Sequence, residues 1–165
     1  MKSVLISIQP KWCGLIASGK KTIEVRKTKP KLKPPFKCYI YCTKGRNHFW
    51  IGKQYSYADE RSHNAFDKDG NGKVIGEFIC PEIGILHSNT VFNAPALYSQ
   101  SCMTREEFFK YAADNTVYFW RISDVNIYDE PKELSDFTGL RETKFGAESI
   151  EIIRPPQSWY YVEGE

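Results

Sequence analysis

Three charged residues stand close together near the amino terminus, at Lys21, Glu24 and Arg26. A lysine ammonium and an arginine guanidinium can both hold a phosphate or a carboxylate, and the guanidinium offers a planar fork of donors. Glu24 could orient Lys21 or accept a hydrogen bond from a ligand hydroxyl. Lys21 and Glu24 are also candidate catalytic residues, because neighbouring cations (Lys20, Arg26 and Lys27) and partial burial would disfavour the charged form of Lys21 and favour general-base work. A purely structural ion-pair cluster is the alternative.

A short helix followed by a strand must position these charges. Pro10 is favoured at the first position of a helix, and Gly19 favours its end because glycine takes a left-handed cap. Residues 21–27 alternate as a strand, which would point Glu24 to one face and Lys21 to the other. A common cleft therefore requires the alternation to relax at the start of the strand, next to Gly19.

A recognisable pattern surrounds this cluster: Gly19-x-Lys21-x-x-Glu24-x-Arg26, with Pro10-x-Trp12 and Leu15-Ile16 ahead of it. The pattern resembles the signature of ASCH domains, which are small relatives of the PUA RNA-binding barrel. With the strand-rich remainder, the resemblance predicts an α+β fold that is mainly β, a small PUA-like β-barrel with short helices on its rim. It also implies binding of RNA or a nucleotide in a cleft formed by the charged cluster.

The resemblance implies an enzymatic alternative as well. One branch of the family hydrolyses the amide of acetylcytidine with a motif lysine, a threonine three residues later and a distant glutamate. Lys21 stands at the lysine position, Glu24 stands where the threonine would be, and Glu106 or Glu107 are the candidates for the distant glutamate. An amidohydrolase or a ribonuclease is therefore the alternative to an RNA-binding module, and a protein-interaction domain is a third hypothesis.

Positive charge is concentrated in the first third of the chain. Residues 1–53 carry thirteen Lys and Arg residues and one acid, for a net charge of +12, whereas residues 54–165 carry ten and nineteen, for −9. Such a basic face favours a polyanion such as RNA, DNA or a nucleotide phosphate. The proline-rich connector 28–35 would present several of these lysines along an extended chain. A solvated lysine loop that only improves solubility is the alternative.

Further binding residues are predicted where aromatic and polar side chains are neighbours in sequence. Trp120 precedes Arg121, and Arg154 precedes two prolines and Gln157, whose amide could read a base edge. Aromatic faces beside guanidinium groups suit base stacking with phosphate contact, while core packing is the other explanation for a tryptophan. The predicted nucleic-acid-binding set is Trp12, Lys20, Lys21, Glu24, Arg26, Lys27, Trp120, Arg154 and Gln157.

The length of 165 residues predicts a single domain, over residues 1–165, with a real core. Residues 44–72 lack periodicity and are predicted to form a long surface excursion. A helix should begin after the N-cap Thr104. The other predicted elements are strands at 3–8, 36–43, 73–80, 83–86, 149–153 and 158–162, strands within 116–128, and a helix at 131–137.

No cofactor or metal is predicted. Residues 67–74 begin like a calcium loop, but Phe78 stands where the bidentate glutamate belongs, which favours a glycine-rich hairpin turn. Cys38, Cys42 and His48 lack a fourth ligand for zinc. Five cysteines without framework spacing, no long apolar run and no signal-like amino terminus predict a cytoplasmic protein without a membrane partner. The oligomeric state is left open by the sequence.

Overall fold

Short strands and short helices make up the residues that the computed structural model describes, which are 1–52, 54–58, 64–87 and 94–165. The fold is α+β and mainly β, as the sequence predicts, and closure of its sheets into a barrel stays a prediction. The described elements are, in chain order, β1 (Lys2–Ile8), α1 (Pro10–Ala17), β2 (Ile23–Arg26), β3 (Phe36–Cys42), β4 (His48–Ile51), β5 (Ser56–Ala58), β6 (Lys68–Asp69), β7 (Val74–Cys80), β8 (Ile83–Leu86), α2 (Pro95–Ser101), α3 (Arg105–Ala112), β9 (Val117–Arg121), β10 (Ser123–Lys132), β11 (Thr138–Thr143), β12 (Gly146–Glu151) and β13 (Trp159–Glu163).

The largest sheet has the strand order β10-β7-β3-β1-β13-β11-β12, which places β1 at its centre. β1 runs parallel to β3 and antiparallel to β13. Val4, Leu5 and Ile6 are fully buried, because apolar residues follow one another along a strand that is covered on both faces. The chain leaves this buried strand at Ile8 and enters α1 at Pro10, so the position of α1 is fixed by the core.

The transition from helix to strand lies close to where the sequence predicts it, with the helix in place and the strand shorter than expected. α1 begins at Pro10, and Gly19 has φ +76°, a left-handed conformation that glycine adopts without strain. β2 begins at Ile23, two residues later than predicted, so Lys21 lies in the turn and not in the strand. The alternation of a strand therefore places no constraint on the direction of Lys21.

A second sheet, of order β2-β9-β8, carries the charged cluster on its edge strand β2. Its apolar face is covered by α2 and α3. The buried residues of this contact are Ile23, Val25, Leu97, Phe108, Ala112 and Val117. The sheet and the two helices therefore form one packed unit around β2.

The predicted helices were only partly correct. α3 follows Thr104 as predicted, whereas α2, which has Pro95 at its first position, was not predicted. The helix predicted at 131–137 is wrong, because β10 continues to Lys132 and only a 3-10 turn follows, at Leu134–Asp136. In the described part of the chain, no helix has the length and apolar character needed to cross a membrane.

The segment 44–72, predicted as a surface excursion, contains a third sheet of order β5-β4-β6. Phe49 of β4 is fully buried in the main core. These strands have two to four residues, which is too short for an alternation to be visible in the sequence. Residues 53 and 59–63 of the segment lie outside the described residues.

The calcium-like stretch is a turn between β6 and β7. Asp69 accepts hydrogen bonds from the Asn71 backbone at 2.9 Å and contacts His48 Nδ1 at 2.8 Å. Both carboxylate oxygens of Asp69 therefore have protein partners that stabilise the turn. Among residues 1–52, 54–58, 64–87 and 94–165, no group of three or more His, Cys, Asp or Glu residues is arranged to hold a metal ion.

A close approach of β10 to β7 makes Gly76 sensitive to substitution. A Cβ at Gly76 would lie 2.4 Å from the Asn126 carbonyl oxygen and 3.0 Å from Ile127 Cα, both of them backbone atoms. We expect Gly76→Ala to lower the free energy of unfolding by about 1–3 kcal/mol, because the strands must separate. Urea denaturation measures the change. Gly45→Ala is the control, since its nearest atom is 3.7 Å away, and equal losses in both variants would contradict the crowding argument.

Candidate functional site

Lys21, Glu24 and Arg26 converge in a buried ion triad. Lys21 Nζ lies 3.3 Å from Glu24 Oε2, and Arg26 Nη2 lies 2.9 Å from Glu24 Oε1. Arg26 Nε donates to the same Oε1 at 3.0 Å. Lys21 and Glu24 are only 2% and 6% exposed. Each oxygen of the buried carboxylate thus has a cationic partner, which offsets the cost of burying the charge.

The turn ahead of β2 directs Lys21 into the protein. Its backbone N–H donates to the Leu15 carbonyl at 3.0 Å, and the N–H of Thr22 donates to the Gln100 carbonyl at 2.9 Å. The side chain then reaches the end of α2, where Nζ donates to the Ser101 carbonyl at 2.7 Å. With a carbonyl and a carboxylate as its partners, Lys21 is arranged as a hydrogen-bond donor.

Arg26 connects β2 with the largest sheet. Its Nη2 donates to the Ser7 carbonyl at 2.5 Å, and its Nη1 donates to Ser158 Oγ at 3.3 Å. Ser7 Oγ in turn donates to the Pro156 carbonyl at 2.6 Å. The guanidinium therefore holds together the end of β1, the approach to β13 and the edge strand β2.

The triad forms one wall of an open cavity of about 770 Å³, a size typical of ligand sites. Four cationic and two anionic side chains line the cavity, which gives the wall a net positive charge. The described residues that line it are Ser7, Gln9, Trp12, Lys21, Glu24, Val25, Arg26, Lys27, Thr43, Met103, Glu107, Lys110, Tyr111 and Gln157.

Trp12 supplies an aromatic wall of the cavity beside the triad. Lys21 Nζ lies 4.8 Å from the centroid of its ring, and Lys11 Nζ lies 4.6 Å from the same centroid. Cations at these distances are attracted to the negative face of an indole. The ring thus adds an apolar surface to the cavity and also helps to hold the ammonium groups of Lys21, which lines the cavity, and of Lys11, which lies outside the lining.

Tyr111 supplies a second aromatic wall from α3. Lys27 Nζ lies 5.2 Å from the centroid of its ring. Burial raises the pKa of the Tyr111 phenol, an effect that Arg26 opposes and Glu24 reinforces. The hydroxyl is therefore neutral at physiological pH and can donate a hydrogen bond to a ligand.

Glu107 contributes a second carboxylate through the start of α3. Its backbone N–H donates to Thr104 Oγ1 at 3.1 Å, and its side chain accepts from the Thr104 backbone N–H at 2.8 Å, which forms a capping box. The hydrogen bond from the Thr104 backbone and the nearby Lys11 ammonium lower the pKa of Glu107. Glu107 is therefore an ionised group at the edge of the cavity, 3.7 Å from Lys11 Nζ.

The structure brings six of the nine predicted nucleic-acid-binding residues together. Trp12, Lys21, Glu24, Arg26, Lys27 and Gln157 line the cavity. Lys20 is exposed on the turn outside the lining, and Arg154 is exposed in a loop where its carbonyl accepts from Tyr160. Trp120 is fully buried in the main core, where its ring packs against Phe36 and Trp159. Trp120 is therefore a core residue and not a residue of the cavity, in agreement with the alternative explanation given for it from the sequence.

The contributions of β1 and, apart from Glu107, of α3 were missed from the sequence. Ser7 and Gln9 reach the cavity from the end of β1, and Lys110 and Tyr111 reach it from the exposed side of α3. The capping box at Thr104 was a sequence signal for where α3 begins. No local pattern indicates that α3 packs beside β2, because that contact joins residues about eighty positions apart.

Removal of the central charge should destabilise the fold. Glu24→Gln keeps the shape of the side chain but leaves Lys21 and Arg26 buried without a counter-charge. We expect a loss of about 3–5 kcal/mol in the free energy of unfolding, measured by urea denaturation. Glu148→Gln is the matched control, because Glu148 pairs with Arg141 on an exposed hairpin and its loss should be nearly neutral. A Glu24 variant as stable as the control would refute the role of the triad.

Comparison with known proteins agrees with this fold. The chain is similar in fold to ASCH from Zymomonas mobilis, with a TM-score of 0.57 and 18% identity over 98% of this chain and 87% of that chain. One mutant of that protein gives a TM-score of 0.59 at 17% identity, over 99% of this chain and 91% of that chain. A second mutant gives a TM-score of 0.58 at 17% identity, over 98% of this chain and 88% of that chain. No curated protein matches at the sequence level. Residues 6–78 match the family model of the ASCH domain, so the predicted resemblance to ASCH domains is confirmed.

Proposed function

We propose that this protein is an RNA-binding module that holds one nucleotide in the cavity beside the Lys21–Glu24–Arg26 triad. The proposal takes residues 1–165 as one domain with the architecture of a PUA-like β-barrel. It places the protein in the cytoplasm, whose reducing conditions suit its five free cysteines. The observation that carries the proposal is a buried, charge-compensated triad that opens onto a positively charged cavity with aromatic walls.

The charge of the cavity favours an anionic ligand. Lys27 and Lys110 are exposed at its edge, while Lys21 and Arg26 lie deeper. A cleft lined mainly by one sign of charge raises the local concentration of the opposite ion. A phosphate at this edge would satisfy the exposed ammonium groups without disturbing the triad, whose donors already have protein acceptors.

The remaining lining suits a nucleoside. Trp12 and Tyr111 provide flat apolar surfaces on which a base can stack. Gln9 and Gln157 carry amides that can both donate and accept hydrogen bonds, as the edge of a base requires. A cavity of about 770 Å³ has room for a base and its sugar together.

The basic connector that follows β2 supports a polymeric ligand. Lys29, Lys31 and Lys33 are exposed along it, and Lys27 is exposed just ahead of it. Trp159 Nε1 donates to Thr28 Oγ1 at 2.9 Å, and Tyr161 accepts from the Lys31 backbone N–H at 2.8 Å, so the connector is attached to β13. A row of lysines held in place in this way suits the backbone of an RNA strand.

A hydrolase acting on a modified nucleoside is the second candidate, favoured by one observation. Lys21 and Glu107, which the resemblance implies as a motif lysine and a candidate distant glutamate, line the same cavity. Incubation with acetylcytidine, followed by chromatography for released cytidine, tests it, and the same incubation with single-stranded RNA tests a ribonuclease. Turnover that disappears in Glu107→Gln would support the enzyme, whereas binding without turnover supports the module.

Binding should depend on the lysines at the edge of the cavity. Lys27→Ala and Lys110→Ala should each weaken binding of a single-stranded hexauridylate about fivefold, because each removes a charge-assisted contact with phosphate. Fluorescence anisotropy of a labelled oligonucleotide measures the Kd. The slope of log Kd against log salt should also fall by about 0.7 for each phosphate contact that is lost.

Variants of the triad and of a distant lysine complete the test. Lys21→Ala and Arg26→Ala should weaken binding as well, provided that circular dichroism shows an intact fold. Lys144→Ala removes one exposed charge from the turn between β11 and β12 and should bind as the wild type does. Binding that is unchanged in all four cavity variants, with the fold intact, would reject the site.

A further inference from the structure

A second, smaller cavity adjoins the first. Gln9 and Thr43 line both of them, so the two spaces share a wall. The second cavity measures about 240 Å³, which is below the usual size of a separate ligand site, about 300–1,000 Å³. It is therefore better explained as an extension of the first cavity than as an independent site.

The second cavity is lined by cations. Lys11, Lys44 and Arg46 all border it, and none of the described residues in its lining is acidic. Lys44 and Arg46 are exposed. Three positive groups around so small a space repel one another, and an anion between them would remove that repulsion. This charge pattern suits a single phosphate group more than a nucleoside alone.

Local packing fixes the walls of this cavity. A Cβ at Gly72 would lie 2.9 Å from Lys44 Cε, which shows that the lysine stem lies directly over this turn. Asn47 Nδ2 donates to Tyr57 Oη at 2.8 Å, and Asn71 Nδ2 donates to the Asn47 carbonyl at 3.0 Å. The Tyr57 ring is held by its hydroxyl and is 43% exposed, so part of it is available for stacking.

Lys11 lies between the two cavities. Its ammonium group is 3.7 Å from Glu107 Oε1, which lines the first cavity, and the residue itself lines the second. The side chains of this pair are 47% and 43% exposed, so the contact is weak and easily exchanged. A phosphate that joins two nucleotides would therefore pass beside a cation that is free to reach it.

We propose that the second cavity is a subsite for the next nucleotide of a single-stranded RNA, so that the ligand spans at least two nucleotides. Lys44 and Arg46 hold its phosphate, and its base stacks on Tyr57. This inference rests on the proposed function, because the first nucleotide occupies the cavity of the triad.

Calorimetric titration of the full chain with two probes tests the subsite. The probes are uridine 5′-monophosphate and the 5′-phosphorylated uridine dinucleotide. Wild-type protein should bind the dinucleotide about ten- to a hundredfold more tightly, since one further charge-assisted phosphate contact is formed. Arg46→Ala and Lys44→Ala should each lower the ratio of the two Kd values about fivefold, because each removes one of the two cations that hold the phosphate, and Arg46→Lys should retain most of the ratio because the charge remains.

Two control variants complete the experiment, and the outcome that contradicts the subsite differs from the one that contradicts the proposed function. Arg141→Ala and Lys144→Ala remove one arginine and one lysine from the distant β11–β12 hairpin, and both variants should keep the wild-type ratio of the two Kd values. Equal affinity of the wild type for both probes, or a full ratio in folded Arg46→Ala and Lys44→Ala, would overturn the subsite and leave the proposed function standing. Binding of neither probe would overturn both.

Discussion

A carboxylate buried between two cations holds the cavity together. Glu24 pairs with Lys21 and Arg26, and each cation carries the connection further into the fold. Lys21 reaches the end of α2 through the Ser101 carbonyl, and Arg26 reaches the end of β1 through the Ser7 carbonyl. Elements far apart in the chain therefore meet at one charged group. Loss of that charge would leave two cations buried without compensation, which is among the more costly single changes in a protein interior.

The pairing of Glu24 with two cations allows the cavity to carry positive charge both in its interior and at its exposed edge. The triad keeps a net charge of +1 inside because two cations share one carboxylate, while Lys27 and Lys110 stand at the exposed edge, where water solvates them. The deep groups are fixed by protein acceptors and so are already oriented before a ligand arrives. The edge groups remain adjustable. A ligand phosphate would thus meet mobile ammonium groups first and a rigid, charged wall behind them.

The sequence was informative where the determinants are local. Pro10, Gly19 and the charges that follow them predicted the helix, the turn and the cluster, because capping and turn conformations depend on neighbouring residues. It could not decide between core and site for Trp120, since a tryptophan beside an arginine has the same appearance in either place. Phe36 and Trp159 pack against the Trp120 ring, which identifies it as a core residue, and these contacts join strands that are distant in sequence. The positions of α3 and of the short strands β4 to β6 are set by similar long-range packing.

Lys11 shows how binding could reorganise the edge of the cavity at little cost. An exposed ion pair such as Lys11–Glu107 is worth about 0–1 kcal/mol, so the Lys11 ammonium group could exchange Glu107 for the phosphate of a ligand at little cost. The move would also uncover part of the Trp12 ring, over which Lys11 now lies. A phosphate that attracts Lys11 would thus prepare the indole for stacking by the adjoining base, and charge and aromatic recognition would be coupled through one side chain.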